Sequence, residues 1–243
     1  MKRVAIIQAR MGSERLPGKV LQPIGGRSML EQVVRRTQWA SQIDEIVIAT
    51  TKLERDNPIA ELCRQRDWLC YRGSENDVLA RYVEAARMVG ASIVVRITSD
   101  CPLIDPNIID AVTGLLTSNL DRLDYVCNFL PVRTFPRGLD VEAFTRSALE
   151  QADTEDTNPE WREHVTEYIL HNPHRFRAEG LTTTADMSML RWTVDTPDDL
   201  RLVRSIFEHM GDKRFGWRDV LDAYERNAEW ATMNNHVVQK AVA

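Results

Sequence analysis

The sequence of 243 residues lacks the features that mark membrane and secreted proteins. No apolar run approaches the roughly 18–20 residues that a membrane-spanning helix needs. The apolar run that starts at Val4 gives way to polar residues at Gln8, which is too short for the apolar region of a signal peptide. Internal repeats and low-complexity linkers are missing as well. We therefore expect a cytoplasmic protein without a membrane partner.

Cysteine is scarce, and its spacing argues against two further classes of protein. The cysteines are Cys63, Cys70, Cys101 and Cys127. They form neither a Cys-x-x-Cys pair nor a zinc-ligand spacing, and the histidines show no tight metal-ligand pattern. We expect reduced thiols, as is usual in the cytoplasm, and no zinc site.

An excess of positive charge is also missing. The chain has 31 Lys and Arg against 36 Asp and Glu, a net charge of −5. A protein that binds nucleic acid non-specifically needs a basic surface to displace counterions, so we expect no nucleic-acid partner. Any cationic site in this chain must be local.

The first half of the chain alternates strand and helix patterns. Short apolar runs predict buried strands at 3–9, 45–50, 68–71 and 92–98. Stretches with apolar residues at helical spacing separate or follow them, at 28–40, 57–66, 76–90 and 105–118. Strands joined through single helices predict an α/β fold with a mainly parallel sheet and helices on both faces.

The regular alternation of strand and helix patterns ends after Ser118. The pattern predicts strand-like chain over 125–144, one helix over 157–173, a strand at 189–194 and a helix over 195–211. We interpret 129–190 as an excursion from one continuous domain that spans 1–243. The tail, 211–243, contains an amphipathic stretch that indicates a helical segment.

A cationic loop follows the first strand, in the sequence IIQARMGSERLPGK. Gly12 and Gly18 permit close approach of the backbone to a ligand, and Arg10, Arg15 and Lys19 add charge-assisted bonds to phosphate oxygens. Val20 follows Lys19 where a Walker A loop needs Ser or Thr, and G-x-G-x-x-G is not present either. The residues alone leave a phosphate site and a solvated turn both open.

Two aspartates follow predicted strands. Asp100 comes after VVRITS and Asp195 after LRWTV. Carboxyl ends of parallel strands share one edge of a sheet, so both side chains can face the crevice beside the cationic loop. Two carboxylates together with phosphate oxygens and water suit Mg²⁺. The alternative is that Asp195 caps the following helix and Asp100 forms a turn before Pro102.

Seven ordered blocks resemble the cytidylyltransferases that activate sugar acids, and the opening is most similar to their spore-coat-polysaccharide SpsF-like branch. The blocks are IIQARMGSERLPGKVLQPIGGRSMLE, IVIATT, YRGSENDVLARY, VVRITSDCPLIDPNIID, GLDVEAF, EHVTEYI and RWTVDTPDDLRLVRSIFE. Together they cover roughly residues 3–210. The resemblance implies a three-layer α/β/α nucleotide-binding sandwich of glycosyltransferase-A type. It also implies transfer of CMP from CTP to an acceptor oxygen with release of pyrophosphate.

The resemblance also assigns residues. Arg15, Lys19, Asp100 and Asp195 are implied as catalytic, with Mg²⁺ on the two aspartates. The implied nucleotide-binding residues are Ala9, Arg10, Met11, Gly12, Ser13, Arg15, Lys19, Arg72 and Ser99. The excursion is expected to bind a small anionic acceptor and to form a homodimer. The expected acceptor-binding residues are Arg96, Arg133, Arg137, Asp140, Glu142 and His164.

Departures from the family leave alternatives. Arg96 stands where sugar-acid enzymes carry glutamine, and it either favours an anionic acceptor or pairs with Asp100. His164 either contacts substrate or is a buried or capping residue. The acceptor is a sugar acid, as in surface polysaccharide or glycoconjugate synthesis, or a phosphonate. A nucleotide-sugar-dependent glycosyltransferase is disfavoured because no Asp-x-Asp follows VVRITS. A non-catalytic nucleotide sensor is disfavoured because Lys19, Asp100 and Asp195 are present.

Overall fold

A computed structural model describes residues 1–239. Its larger sheet has seven strands in the order β5-β4-β1-β6-β8-β7-β9, and β2 pairs with β3 in a small hairpin. The strands are β1 (Arg3–Gln8), β2 (Pro23–Ile24), β3 (Arg27–Ser28), β4 (Glu45–Thr51), β5 (Leu69–Gly73), β6 (Ile93–Thr98), β7 (Tyr125–Cys127), β8 (Glu142–Thr145) and β9 (Ala178–Gly180). The β8 strand runs antiparallel to β6 and β7, and the other pairings in this sheet are parallel.

Helices cover both faces of the sheet. They are α1 (Met29–Thr37), α2 (Asn57–Gln65), α3 (Val78–Val89), α4 (Pro106–Thr117), α5 (Arg146–Glu155), α6 (Pro159–His164), α7 (Glu167–His171), α8 (Pro197–Met210), α9 (Trp217–Arg226) and α10 (Trp230–Met233). One core joins the sheet to α1, α2, α4, α8 and α9, and the other joins it to α3, α5 and α7. None of the helices within residues 1–239 is long and apolar enough to cross a lipid bilayer.

The predicted α/β fold with a mainly parallel sheet is confirmed. In β1, Val4 and Ile6 enter one core while Ala5 and Ile7 enter the other, which explains why the strand reads as an unbroken apolar run. Local signals fix the helix starts. The Ser28 side chain accepts a hydrogen bond from the Glu31 amide, and the Glu31 carboxylate accepts one from the Ser28 amide, so α1 begins with a complete capping box.

Three predictions for the second half were wrong. The strand-like chain predicted over 125–144 is formed only at its ends, as β7 and β8, and residues 128–141 between them lie outside the named strands. The strand predicted at 189–194 is not formed. The segment makes one isolated β-bridge, between Arg137 and Arg191. The Val194 amide donates instead to the carbonyl of Asp100 (2.8 Å), so the segment ends in a turn beside β6. The single helix predicted over 157–173 is two helices, α6 and α7.

The break between α6 and α7 lies at Val165. Its φ of 71° is uncommon for a β-branched residue. The turn buries the Val165 side chain in one core and carries Thr166 inward, where its hydroxyl donates to the Glu142 carboxylate. A continuous helix would not bury both adjacent side chains on one face, so burial overrides the helical periodicity here.

Sheet order places a switch point at the carboxyl end of β1. The chain leaves β1 for β4 and β5 on one side and then returns to β6 on the other. In open α/β sheets, ligands bind at such a point, beyond the carboxyl ends of the strands. Two backbone hydrogen bonds hold the chain together at this switch point. The Ala9 amide donates to the Ala49 carbonyl (3.1 Å), and the Ser99 amide donates to the Gln8 carbonyl (3.2 Å).

Gly138 is expected to be intolerant of a side chain. Its φ is +100°, and a Cβ there would lie 2.4 Å from the backbone nitrogen of Thr193. Gly138→Ala is therefore expected to lower the free energy of unfolding by about 3 kcal/mol or more, because neither backbone segment can give way cheaply. Denaturant unfolding measures this, with Gly114→Ala as the control, since a Cβ at Gly114 meets nothing within 4 Å. Equal losses in the two variants would contradict the close approach.

Candidate active site

A cavity of about 850 Å³ opens at this switch point. The cationic loop, the end of β6 and the segments around 138, 164 and 194 surround it. The predicted residues that line it are Ala9, Arg10, Gly12, Ser13, Arg15, Lys19, Ser99, Asp100, Arg137, Asp140, His164 and Asp195. The structure therefore brings the loop, both aspartates and part of the excursion to one place.

The Lys19 ammonium occupies the centre of the site. Its Nζ donates to Asp100 Oδ2 (2.9 Å), to Asp195 Oδ1 (2.9 Å) and to the carbonyl oxygen of Val194 (2.8 Å). These contacts use all three of its donors. Lys19 is 7% exposed, so the charge is held inside the protein and not in solvent. The two aspartates are thus joined through one cation.

The Asp195 carboxylate meets three cations. Besides Lys19, Arg15 contacts its Oδ2 at 2.9 Å, and Arg191 contacts the same oxygen at 2.6 Å. Arg191 also binds Asp199, a fully buried carboxylate at the start of α8. Asp199 accepts hydrogen bonds from the amides of Asp195 and Thr196 (both 3.0 Å), which fixes the turn that carries Asp195. Sequence reasoning missed both Arg191 and Asp199.

Hydrogen bonds between two distant parts of the chain bring the two aspartates together. The Asp100 carbonyl accepts from the Val194 amide (2.8 Å) and from the Thr193 hydroxyl (3.2 Å). Asp100 follows β6, and Asp195 follows the segment bridged to Arg137. Their proximity thus depends on a short backbone contact and not on two adjacent strands, as the sequence had suggested.

The electrostatics of the site favour an ionised Asp100 and a charged Lys19. Burial by itself raises the pKa of Asp100, but the charge of Lys19 and a hydrogen bond from Thr98 outweigh it and lower the pKa to about 2. Burial likewise lowers the pKa of Lys19, and the attraction of Asp100 and Asp195 more than reverses this, so the net shift is upward. At neutral pH Asp100 and Lys19 therefore carry full, opposite charges.

The donor set fits a divalent cation. Carboxylate oxygens of Asp100 and Asp195 already face one positive charge, the Lys19 ammonium, from 2.9 Å each. Hard cations such as Mg²⁺ prefer oxygen ligands of this kind and complete their shell with phosphates and water. Within residues 1–239 no group of three or more His, Cys, Asp or Glu side chains has the geometry of a metal site. A cation here would need those further ligands and displacement of Lys19.

The loop is held by a buried carboxylate that the sequence pattern did not reveal. Asp56 is fully buried and accepts from the Met11 amide (2.6 Å) and from the hydroxyl of Thr51. The Met11 carbonyl accepts in turn from the Gly18 amide (3.0 Å), where φ is +70°. These bonds close the loop on itself, so Arg15 and Lys19 are presented from a constrained turn.

Several predicted residues lie outside the cavity lining. Among the described residues these are Met11, Arg72, Arg96, Arg133 and Glu142. The Arg72 guanidinium instead donates to the carbonyls of Thr51 (2.8 Å) and Leu53 (2.9 Å), behind the loops that border the cavity. Arg133 pairs with Asp140, which itself lines the cavity.

Arg96 and Glu142 form a buried ion pair beneath the cavity floor. They face each other in the register of β6 and β8, and their side chains are 14% and 5% exposed. Glu142 also accepts from the Tyr125 hydroxyl (2.8 Å), and Arg96 donates to Gln8 Oε1 (3.3 Å). The suggested pairing of Arg96 with Asp100 is therefore wrong, because Glu142 is its partner.

Arg81 lines the cavity and was not anticipated. It is 2% exposed, its NH1 donates to the Ser74 carbonyl (2.9 Å), and its Nε has no hydrogen-bond partner among the described residues. Burial lowers the pKa of its guanidinium. An unpaired buried donor is costly, and here it lies on a side chain that borders the cavity. Arg81 lies one helical turn from the start of α3, among the buried residues of that helix.

The sheet order, the switch-point cavity and two aspartates facing a cationic loop define a three-layer α/β nucleotidyltransferase. The cytidylyltransferase family model matches residues 4–215, and the chain belongs to this family.

Two comparisons agree with this assignment, and a third shows the same fold. A solved structure of a cytidylyltransferase from Leptospira borgpetersenii serovar Hardjo-bovis (strain JB197) has a TM-score of 0.92 and 34% identity, over 99% of this chain and 100% of that chain. The spore coat polysaccharide biosynthesis protein SpsF of Bacillus subtilis (strain 168) is 30% identical over 93% of this chain and 95% of its own. A structure of CMP:2-keto-3-deoxy-manno-octonic acid synthetase complexed with CTP has a TM-score of 0.67 and 21% identity, over 86% of this chain and 100% of that chain, which shows a shared fold.

Proposed function

We propose that this protein transfers CMP from CTP to a small anionic acceptor, a sugar acid or a related acid such as a phosphonate, and releases pyrophosphate. The observation that carries the proposal is the Lys19 ammonium held between Asp100 and Asp195 at the mouth of a cationic loop. An acceptor oxygen bonds to the α-phosphorus while the bond to the bridging oxygen of pyrophosphate breaks. Such reactions depend on positioning and on compensation of phosphoryl charge, which this cluster offers.

The cationic loop binds the phosphate end of CTP. Arg15 and Lys19 contact Asp195 in this structure, and the triphosphate gives both cations new anionic partners. An arginine can bind two phosphate oxygens at once, so Arg15 orients the departing pyrophosphate. Asp100 and Asp195 would hold a Mg²⁺ ion, which would polarise the phosphoryl oxygens as a Lewis acid. Lys19, released from the aspartates, would then be free to neutralise the leaving group.

The nucleobase binds on the side of β1 that lies away from Asp100. Arg81 and Glu75 line the cavity on the β4 and β5 side, whereas Asp100 follows β6. Cytosine presents acceptors at its O2 carbonyl and its ring N3 and an amino donor at N4. The Arg81 guanidinium suits the acceptors, and the Glu75 carboxylate, which pairs with Arg55, suits the amino group. Uracil reverses the pattern at N3 and O4, so this end favours CTP.

Arg81→Met is expected to weaken CTP binding by about 10- to 100-fold, since a hydrogen bond from a charged donor contributes about 1.5–3 kcal/mol. Thermal shifts with CTP, UTP, GTP and ATP measure the preference, and wild-type protein should respond most to CTP. Pyrophosphate should stabilise the variant as it does the wild type, because Arg81 lies away from the phosphate end. Arg72→Met is the control and should keep the preference. A CTP preference unchanged in Arg81→Met would contradict the assignment.

The acceptor end lies beyond the aspartates. Arg137 and Asp140 line the cavity there, beside the bridged segment that carries Asp195. Arg137 makes no ion pair within residues 1–239, although burial and the charge of Arg133 lower the pKa of its guanidinium. A cation that makes no ion pair at this end of the cavity favours an acceptor that carries a carboxylate or phosphonate.

Pyrophosphate release tests the proposal. Each of the four nucleoside triphosphates is supplied with Mg²⁺ and a panel of sugar acids and phosphonates. We expect release with CTP and at least one acidic acceptor, and none when the acceptor is omitted. Release that is absent with every acceptor, or that proceeds equally with all four nucleotides, would overturn the proposed activity.

A further inference from the structure

The side-chain amide of Gln8 is a polar group at the switch-point cavity that no step of the proposed reaction uses. Gln8 is the last residue of β1, it is half-buried, and it lines the cavity. Its neighbours in the sheet register are Ala49 of β4 and Thr98 of β6. Ala49 has no polar side chain, and the Thr98 hydroxyl lies 3.2 Å from the sulfur of Cys101. Within this row of the sheet, Gln8 has the longest polar side chain.

The orientation of this amide is fixed through its oxygen. Gln8 Oε1 accepts hydrogen bonds from Arg96 Nε (3.3 Å) and from the Tyr82 hydroxyl (3.2 Å). A guanidinium has donors and no acceptor, so the oxygen of the amide, and not its nitrogen, must face Arg96. Arg96 is itself held in place by its ion pair with Glu142. The buried ion pair therefore determines which end of the Gln8 amide is left for other partners.

The end that is left is the Nε2 donor. This nitrogen makes no hydrogen bond within residues 1–239. Unlike the Nε of Arg81, it is not sealed from solvent. Because Gln8 lines the cavity, its Nε2 can donate to a molecule that fills the cavity. Covering an amide donor without pairing it costs free energy, so we expect the ligand to present an oxygen at this point.

The strand order indicates which part of CTP lies over Gln8. The nucleobase is assigned to the β4 and β5 side, Asp100 follows β6, and β1 lies between β4 and β6. The ribose joins the base to the α-phosphate, so the ribose crosses β1. Ile6 packs in the core with α3, and Gln8 faces the same way because alternate residues of a strand share a face. Val20, next to Lys19, packs in the other core, so Gln8 approaches the ligand from the face opposite the phosphate-binding cation.

We propose that Gln8 Nε2 donates a hydrogen bond to a ribose hydroxyl of CTP, at C2′ or C3′. The inference rests on the proposed CMP transfer, which sets the direction of the nucleotide across the sheet. A ribose hydroxyl oxygen accepts such a bond, and a deoxyribose lacks one of the two oxygens. Gln8 therefore selects a ribonucleotide over a deoxyribonucleotide, whereas Arg81 and Glu75 select the base.

Calorimetric titrations with CTP, 2′-deoxy-CTP and 3′-deoxy-CTP test this contact, in the presence of Mg²⁺ and without an acceptor. We expect the wild type to bind at least one of the two deoxynucleotides about 3- to 10-fold more weakly than CTP, the change expected for one neutral hydrogen bond. Gln8→Met keeps the length of the side chain and removes the donor. This variant should bind CTP more weakly and should lose the preference for CTP over that deoxynucleotide.

Arg15→Gln is the matched control, because Arg15 lines the same cavity at the phosphate end. It should weaken all three nucleotides by the same factor and keep the preference for the ribose. Pyrophosphate should bind Gln8→Met as tightly as the wild type, which shows that this variant keeps its fold and its phosphate site.

Two results would overturn the contact and leave the CMP transfer standing. They are equal affinity of the wild type for the three nucleotides, and a preference for CTP that persists in Gln8→Met. Pyrophosphate release with an acceptor tests the transfer separately. A wild type that binds none of the three nucleotides would overturn both the contact and the proposed function.

Discussion

Asp100→Asn is expected to reduce CTP-dependent pyrophosphate release by about 100- to 1,000-fold, the range seen when one electrostatic contact to a transition state is lost. The substitution keeps the shape of the side chain and removes the charge that faces Lys19 at 2.9 Å. Because the pKa of Asp100 is about 2, the wild-type carboxylate is charged throughout the neutral range, and no pH adjustment restores the variant. Initial rates of pyrophosphate release measure the effect.

Asp140→Asn is the matched control for that variant. Asp140 lines the same cavity but pairs with Arg133 and not with Lys19. It should alter the KM for the acceptor more than the KM for CTP, and its loss in kcat should be far smaller. Equal pyrophosphate release by Asp100→Asn and wild type would remove Asp100 from the mechanism. An equal loss in both variants would show that charge anywhere in the cavity has the same effect.

Arg96→Met is expected to lower the free energy of unfolding by about 3–5 kcal/mol, because it leaves the Glu142 carboxylate buried without its cation. For a chain of this length the melting temperature should fall by roughly 2–4 °C per kcal/mol. Tyr125 and Thr166 still donate to Glu142, but neither supplies a positive charge. Thermal and denaturant unfolding measure the change.

A second variant separates the structural role of Arg96 from contact with the acceptor. Arg96→Met/Glu142→Gln removes both charges, so it should recover a large part of the lost stability. If Arg96 acts through the fold, the double variant should also recover the KM for the acceptor. Unchanged stability of Arg96→Met together with a large rise in that KM would restore Arg96 to the acceptor site.

The first half of the fold is predictable because its signals are local. The β1, β4 and β6 strands are continuous apolar runs, and such runs are what a parallel sheet covered on both faces requires. The capping box of Ser28 and Glu31, which lies within four consecutive residues, indicates the start of α1. The second half is less predictable: β7 and β8 lie at the two ends of the stretch predicted as strand-like over 125–144, and the sequence gives no sign that residues 128–141 leave the sheet between them.

The candidate site is predictable in its members and not in its contacts. Strand-end position and family resemblance select Asp100, Asp195 and Lys19, yet Lys19 is 81 and 176 residues from the two aspartates. No sequence pattern shows that one ammonium bridges them. Arg81 fits the apolar stripe of α3 by position, so its place beside the cavity is visible only in three dimensions.

Some expectations stay predictions. The homodimer, the domain limits at 129–190 and 211–243 and the role of the tail are of this kind. Strands β8 and β9 of the excursion belong to the large sheet, and α9 and α10 lie in the tail. Residues 240–243 of that tail are outside the described part of the chain.

The fate of each CTP phosphorus tests the central claim most directly. Parallel reactions use CTP labelled at the α- or the γ-phosphorus, with the acceptor that supports pyrophosphate release. If the cavity performs nucleotidyl transfer, the α label appears in the CMP-linked acid and the γ label in pyrophosphate. Label from the γ-phosphorus in the acceptor, or no α label there while pyrophosphate is formed, would contradict the account.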